Sequence, residues 1–183
     1  MKCDTIETKY DFLCKKESDI NEHLPTLKKY SEGLETVIEF GVRRIVSTWA
    51  FLAGKPKKVI SYDLYHPSVF GADLNEVMVA AQQCGIGFDF VQGDTRQITI
   101  PECDFLFIDT LHEYHQTRAE LFRHAKNVKK YIGFHDTVTF CQTGEGGGLG
   151  ICHAIEEFLV SHKEWRVKEE FKNNNGLTII ERI

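Results

Sequence analysis

Five short apolar runs alternate with helical stretches along the chain, and this alternation constrains the fold more than any other feature. The runs are rich in Val, Ile and Phe, and several are apolar almost throughout, as strands buried on both faces of a sheet are. They read TVIEFGV, KVISYDL, FDFVQGD, DFLFIDT and YIGFHDT. Strands that alternate with helices predict a doubly wound α/β fold with a mostly parallel sheet.

The stretches between the runs have helical periodicity. STWAFLAG follows the first strand, and SDINEHLPTLKKYSEG predicts a leading helix that ends near Gly33. For ADLNEVMVAAQQCG, the predicted apolar face consists of Leu74, Val77, Met78, Ala81 and Cys84. For HQTRAELFRHAKNVKKY, the predicted buried side chains are Ala119, Leu121, Phe122, Ala125 and Val128, opposite a solvated basic face.

The end of the chain predicts an antiparallel pair of strands. WRVKEEF and LTIIERI flank KNNNG, whose residues are typical of a hairpin turn. The chain contains no repeat, low-complexity tract or linker. We therefore predict one domain over residues 1–183, with an N-terminal helical extension (1–34) and a core (35–183).

Composition excludes several classes of protein. The net charge is −5 and there is no strong basic block, so a nucleic-acid partner is not expected. No apolar run is long enough for a membrane span, and the charged N-terminus does not resemble a secretory signal. Because the six cysteines form no C-x-x-C pair and mostly lie in apolar segments, we expect reduced, buried thiols in a cytoplasmic protein.

Each of the five predicted strands ends near a carboxylate. The five acids are Glu39, Asp63, Asp94, Asp109 and Asp136. In an open parallel sheet, ligands bind beyond the carboxyl ends of the strands, so the five acids predict one binding site.

The turn after the first strand narrows the choice of ligand. A dinucleotide site needs G-x-G-x-x-G, but only Gly41 is present, and Glu39 brings negative charge to the same region. S-adenosylmethionine is cationic and carries no phosphate, so it suits this turn better. Asp63 follows Gly41 by 22 positions, about the spacing of an acid that binds ribose hydroxyls, and Asp94 is placed to approach the adenine.

The sequence resembles the class I S-adenosylmethionine-dependent methyltransferases, most of all the branch of small-molecule and sugar O-methyltransferases and cephalosporin hydroxylase-like proteins. The resemblance covers roughly residues 35–140 and rests on VIEFGVRRIVSTWAFL, VISYDL, DFLFIDTLHEYHQTRAEL and YIGFHDT. It implies a Rossmann-like, doubly wound, mostly parallel seven-stranded sheet with a C-terminal antiparallel hairpin.

The resemblance also implies positions for the cofactor. The residues it assigns to cofactor binding are Glu39, Gly41, Val42, Arg43, Ser47, Thr48, Asp63, Asp94 and Asp109, of which Glu39, Gly41, Ser47 and Thr48 would line the methionine end. Ile45 stands where relatives generally carry glycine. We expect this branched side chain to crowd the methionine moiety or to force a negative φ.

Two strand-end acids predict a divalent metal site. In related metal-dependent O-methyltransferases, acids at the positions of Asp109 and Asp136 hold a cation, which lowers the pKa of a coordinated substrate oxygen. Carboxylates suit Mg²⁺, whereas the neighbouring His112 and His135 favour a transition metal such as Mn²⁺. His135 is the predicted third ligand. Both His135 and Asp136 can face the site only if the strand has already ended there.

The predicted catalytic residues are His112, Asp109 and His135. Relatives often carry an acid where Leu111 stands, which makes His112 the best candidate for the general base. The alternative to a metal site is His112 as the base, with Asp109 only orienting it. We expect structural roles for His115, His124 and His162, whereas the resemblance brings His23 towards the site.

The glycine-rich TGEGGGLG lacks the G-K-[ST] of a phosphate loop and predicts a lid over the substrate.

The leading hypothesis is an S-adenosylmethionine-dependent O-methyltransferase that acts on a small hydroxylated acceptor, sugar-like or another metabolite. The alternatives are a catalytically impaired S-adenosylmethionine-binding module and a nicotinamide-dependent oxidoreductase. The expected partner is a small molecule, without nucleic acid or membrane, and a homo-oligomer is left open.

Overall fold

The computed structural model describes residues 3–183 and contains a seven-stranded sheet with the strand order β3-β2-β1-β4-β5-β7-β6. The strands are β1 (Thr36–Phe40), β2 (Lys58–Asp63), β3 (Gly87–Gln92), β4 (Cys103–Ile108), β5 (Val128–His135), β6 (Trp165–Phe171) and β7 (Leu177–Arg182). The first five are parallel, and β7 runs antiparallel to both β5 and β6. The predicted mostly parallel sheet with a C-terminal hairpin is confirmed.

Six α-helices flank the sheet in the described residues 3–183. They are α1 (Asp4–Lys15), α2 (Leu24–Ser31), α3 (Val46–Ala53), α4 (Leu74–Gln83), α5 (Tyr114–His124) and α6 (Ile151–Ser161). α1 lies within the predicted N-terminal helical extension (1–34), where the sequence pattern located only the helix of SDINEHLPTLKKYSEG. The side chain of Asp73 caps α4 by accepting from Asn75 N at 2.9 Å, and Gly85, with a φ of 69°, follows its end as predicted.

The core lies on both faces of the sheet. One cluster joins the N-terminal helices to α3 through Ile6, Leu24, Leu27, Trp49 and Phe51. The other packs α5 and α6 against the opposite face. The helical segment before residue 35 is therefore part of the same core as the sheet.

The predicted helix faces were partly wrong. Met78 on α4 is 49% exposed, and Ala80 is buried instead. On α5, Phe122 is exposed and Ala119 is only half-buried. The buried positions of α5 are instead mostly polar: Gln116, Thr117, Glu120, Leu121 and His124. Periodicity could not reveal this face because its polar side chains are satisfied by a buried hydrogen-bond network.

Strand β3 also differs from the expectation of strands buried on both faces. It forms the edge of the sheet, and its residues are exposed or half-buried.

The cysteines do not match the expectation of reduced thiols. Disulfides join Cys3 to Cys84 and Cys141 to Cys152, whereas Cys14 and Cys103 are free. The pairing arises from tertiary proximity, since Cys3 and Cys84 are 81 positions apart. Within residues 3–183, no helix combines the length and apolar character that crossing a bilayer requires.

Candidate active site

The glycine turn after β1 depends on a close approach between two strand ends. Gly41 has a φ of 85°, and a Cβ atom built on it would lie 1.8 Å from the backbone oxygen of Asp109. No residue with a side chain fits there without moving the end of β4. Gly41 therefore allows the loops after β1 and β4 to meet at one edge of the sheet.

Asp63, the predicted ribose ligand, is the last residue of β2 and holds this turn in place. Its Oδ2 accepts from the backbone N–H groups of Val42 and Arg43, at 2.7 and 2.9 Å. Its Oδ1 accepts from Tyr65 N at 2.9 Å. The Asp63 side chain is half-buried, and Oδ1, which accepts a single hydrogen bond, has a second lone pair for a ligand hydroxyl.

Ile45 corrects one expectation. Its φ is 62°, so the branched side chain does not force a negative φ, and the residue is 2% exposed within the core cluster that contains Trp49. Its side chain packs into the protein interior and does not crowd the cofactor side. The left-handed backbone costs a β-branched residue about 1–3 kcal/mol, which burial of the side chain offsets.

Glu39 lies beneath the turn in a closed network of hydroxyl groups. Its carboxylate accepts from Ser47, from Thr48 at 2.7 Å and from Ser61 at 2.6 Å, and the residue has no exposed surface. Burial raises the pKa of Glu39 to about 7, while the three hydroxyls oppose that rise. Ser47 and Thr48 are buried as well, so these three predicted cofactor residues lie together but under the surface.

Asp94 lies two positions beyond β3 and is satisfied within its own loop. Arg96 donates to it through Nε at 3.0 Å and Nη2 at 2.8 Å, and Gln97 Nε2 donates at 3.1 Å. The hydrogen bond from the Arg96 side chain is the largest cause lowering the pKa of Asp94 to about 2. An adenine contact by Asp94 would therefore compete with Arg96.

Four predicted residues come together at the ends of β4 and β5. His112 Nε2 lies 3.2 Å from Asp109 Oδ1 and 2.9 Å from Asp136 Oδ2. His135 Nδ1 lies 3.5 and 3.2 Å from the same two oxygens. We call Asp109, His112, His135 and Asp136 the Asp–His cluster. Ligand atoms of Asp109, His112 and Asp136 all lie within 4.8 Å of one another, as a shared cation would require.

The end of β5 explains how two consecutive residues reach one point. The strand ends at His135, and Asp136 has a φ of 60°, which takes the chain out of strand geometry. The left-handed region is accessible to aspartate more easily than to most residues. Both side chains consequently face the cluster, as the sequence reasoning required.

In each imidazole of the Asp–His cluster, the ring nitrogen that faces away from the two aspartates also contacts an oxygen atom. His112 Nδ1 contacts the carboxylate of Glu145, and the His112 ring stacks on Phe140 with centroids 4.9 Å apart. His135 Nε2 lies 3.3 Å from the backbone oxygen of Asn174. Histidines that bind metals usually have their second nitrogen fixed by an oxygen in this way.

The charges in the cluster compensate one another. Burial alone would raise the pKa of Asp109 and lower the pKa of both histidines. The hydrogen bonds between them reverse these effects, so the pKa of Asp109 falls well below its usual range, and the pKa values of His112 and His135 rise. The pKa of Asp136 is lowered for the same reason. Two adjacent carboxylates need such positive partners.

The remaining histidines lie outside the cluster. His23 is buried, and its ring centroid lies 5.6 Å from that of His135. Its Nε2 contacts the backbone oxygens of Asn173 and Asn174. His23 therefore packs behind His135 and is not part of the cluster. His124 bonds the Thr95 carbonyl and His162 stacks on Phe158, whereas His115 is exposed. Leu111 is 52% exposed.

Sequence reasoning missed Glu145 and Phe140. Both lie in the segment after β5, where only the glycine-rich pattern gave a signal, and that pattern indicated a loop without indicating what its side chains contact.

Comparison with known proteins supports the fold. No model of a known protein family matches the chain, and neither does any curated protein. Among solved structures, an O-methyltransferase from Bacillus cereus in complex with S-adenosylhomocysteine is 12% identical, with a TM-score of 0.59 over 100% of this chain and 92% of that one. A methyltransferase from Podospora anserina, also with S-adenosylhomocysteine bound, is 15% identical, with a TM-score of 0.59 over 98% and 88%.

At these identities the likeness concerns the fold alone. The chain has the Rossmann-like fold of these methyltransferases. The sugar O-methyltransferase and cephalosporin hydroxylase-like branch stays a prediction.

Proposed function

We propose that this protein is an S-adenosylmethionine-dependent O-methyltransferase that acts on a small hydroxylated acceptor with the help of a divalent metal. The observation that carries the proposal is the position of the Asp–His cluster. Gly41 at the cofactor turn packs against Asp109 of the cluster, so a methyl donor in the turn and an acceptor at the cluster would be neighbours. Much of the rate of such a transfer comes from aligning the two reactants.

The cofactor half of the site rests on Gly41 and Asp63. The glycine leaves backbone exposed at the turn, and Asp63 offers the free lone pair of Oδ1 to a ribose hydroxyl while its Oδ2 holds the amides of Val42 and Arg43. Glu39, Ser47 and Thr48 support the turn from below. The burial of Ile45 in the core weakens one of the two arguments for an impaired binding module, the other being the absence of an acid at Leu111.

The donor set of the cluster fits a divalent cation. Asp109 Oδ1 and Asp136 Oδ2 are hard ligands, and His112 Nε2 and His135 Nδ1 approach the same two oxygens, a combination that favours Mn²⁺, Fe²⁺ or Zn²⁺ over Mg²⁺. When bound, the cation would lower the pKa of an acceptor hydroxyl. Asn174 holds the far nitrogen of His135. Without a cation, Nε2 of a neutral His112 would instead be placed to take up the proton that the acceptor hydroxyl releases.

The proposal is tested first by calorimetry with S-adenosylmethionine and S-adenosylhomocysteine, each with and without Mn²⁺. We expect binding of both, and no binding of NADH in a fluorescence titration. Methyl transfer to a panel of small hydroxylated acceptors should stop after dialysis against a chelator and return with added Mn²⁺.

Asp136→Asn should abolish the return of activity, whereas Asp11→Asn, a change at an exposed position of α1, should not. Failure to bind S-adenosylmethionine would overturn the proposal as a whole. Full activity in excess chelator would overturn the metal alone and favour His112 acting as the base without it.

A further inference from the structure

The glycine-rich loop, residues 143–150, is built around the side chain of Glu113. A Cβ atom on Gly144 would lie 2.6 Å from Glu113 Oε2, and one on Gly146 would lie 2.9 Å from Oε1. The backbone N–H of Gly146 also donates to Oε1. Glycine is therefore needed at positions 144 and 146, because the backbone there lies against the Glu113 carboxylate. This contact fixes the loop to the start of α5.

The ends of the loop are fixed as well. Tyr114 N donates to the Leu149 oxygen and Gly150 N to the Gln142 oxygen, both at 2.9 Å. The disulfide between Cys141 and Cys152 joins the two segments that flank the loop. The loop is thus anchored at both ends and at Glu113, and Glu145 projects from it.

Glu145 reaches the side of His112 that faces away from the two aspartates. Its carboxylate contacts Nδ1, whereas Nε2 points at Asp136 and Asp109. With Phe140 stacked on the ring face, the imidazole is held on three sides. Because Glu145 meets the far nitrogen, it does not share the space between the carboxylates with a cation.

We propose that Glu145 is a positioning residue: it accepts the Nδ1–H of His112 and thereby directs the Nε2 lone pair at the space between Asp109 and Asp136. The glycine-rich loop is the scaffold that delivers this carboxylate, not a free lid. The inference rests on the proposed function for its purpose, but the contact itself can be tested in the metal-free protein.

The test compares Glu145→Ala and Glu145→Gln with Glu156→Ala, a change at an exposed glutamate of α6. The first measurement is the histidine NMR spectrum of metal-free protein at one fixed pH, with His112 assigned by its loss in His112→Phe. We expect the hydrogen-bonded Nδ1 proton of His112 to disappear in Glu145→Ala and to persist in Glu145→Gln and Glu156→Ala. An unchanged His112 signal in Glu145→Ala would overturn the proposal.

The second measurement is Mn²⁺ binding by calorimetry. Loss of an outer partner of a ligating histidine weakens metal affinity about 10–100-fold, and we expect this loss in Glu145→Ala with recovery in Glu145→Gln. Equal affinity in Glu145→Ala and wild type would overturn the positioning role. If wild type itself binds no Mn²⁺, the metal part of the proposed function fails, and the NMR result still decides whether Glu145 orients His112.

Discussion

Asp63 Oδ2 lies 2.7 Å from the backbone nitrogen of Val42, so the carboxylate that ends β2 holds the glycine turn that follows β1. The two residues are 21 positions apart: Asp63 ends β2, and Val42 lies in the turn that follows the adjacent parallel strand β1. The acid expected to meet the ribose therefore also shapes the turn expected to meet the methionine. This double role leads to the first prediction.

Asp63→Asn should weaken the binding of S-adenosylmethionine by about 1–3 kcal/mol, because a charged acceptor is lost both to the ribose and to the turn. Asp89→Asn is the matched control, since Asp89 is exposed on the edge strand β3 and its side chain pairs with Lys58 of β2. Calorimetry measures both affinities. Unchanged affinity in Asp63→Asn would remove Asp63 from the cofactor site.

At position 45, substitution by alanine should destabilise the protein more than substitution by glycine, which is the reverse of the usual order. Ile45→Ala loses the buried side chain and keeps the left-handed backbone, so it should destabilise the protein by about 2–5 kcal/mol. Ile45→Gly should cost about 1 kcal/mol less, because glycine adopts a φ near 62° without strain. Denaturant unfolding gives both values. Tighter S-adenosylmethionine binding in Ile45→Gly would contradict the burial of this side chain.

Glu39 should make the protein less stable as the pH rises. Its pKa is raised in the folded state from 4.5 to about 7, so the folded protein binds more protons in this window. The stability it contributes is complete below pH 4.5 and is lost as the pH rises through about 7. In Glu39→Gln, the fall in unfolding free energy between pH 4.5 and 8 should be smaller by up to about 3 kcal/mol. Parallel stability curves for the two proteins would disprove the shift.

The disulfide between Cys141 and Cys152 should hold the glycine-rich loop. Cys152→Ser should lower the unfolding free energy by about 3 kcal/mol, the loop-closure value for a segment of this length, and should speed proteolysis within residues 142–151. Cys14→Ser, at a free cysteine, serves as the control. Mass spectrometry of unreduced peptides checks the bond directly. Its absence from air-oxidised protein would contradict the pairing.

Local sequence patterns were sufficient for the order of the elements and for the acids at the strand ends. Strand and helix periods repeat over a few residues, and parallel strands bring their carboxyl ends to one edge, so Asp109 and Asp136 could be expected to meet. The KNNNG turn was equally local: Asn174, Asn175 and Gly176 all have the positive φ values that such residues allow.

Only the tertiary structure decided which way individual side chains face and which distant residues meet. The Ile45 side chain enters the core, because the turn takes a left-handed conformation that the surrounding packing maintains. Glu145 meets His112 across 33 positions, and Cys3 pairs with Cys84 across 81. Such contacts depend on the closing of long loops and on packing between elements, and neither leaves a periodic trace in the sequence.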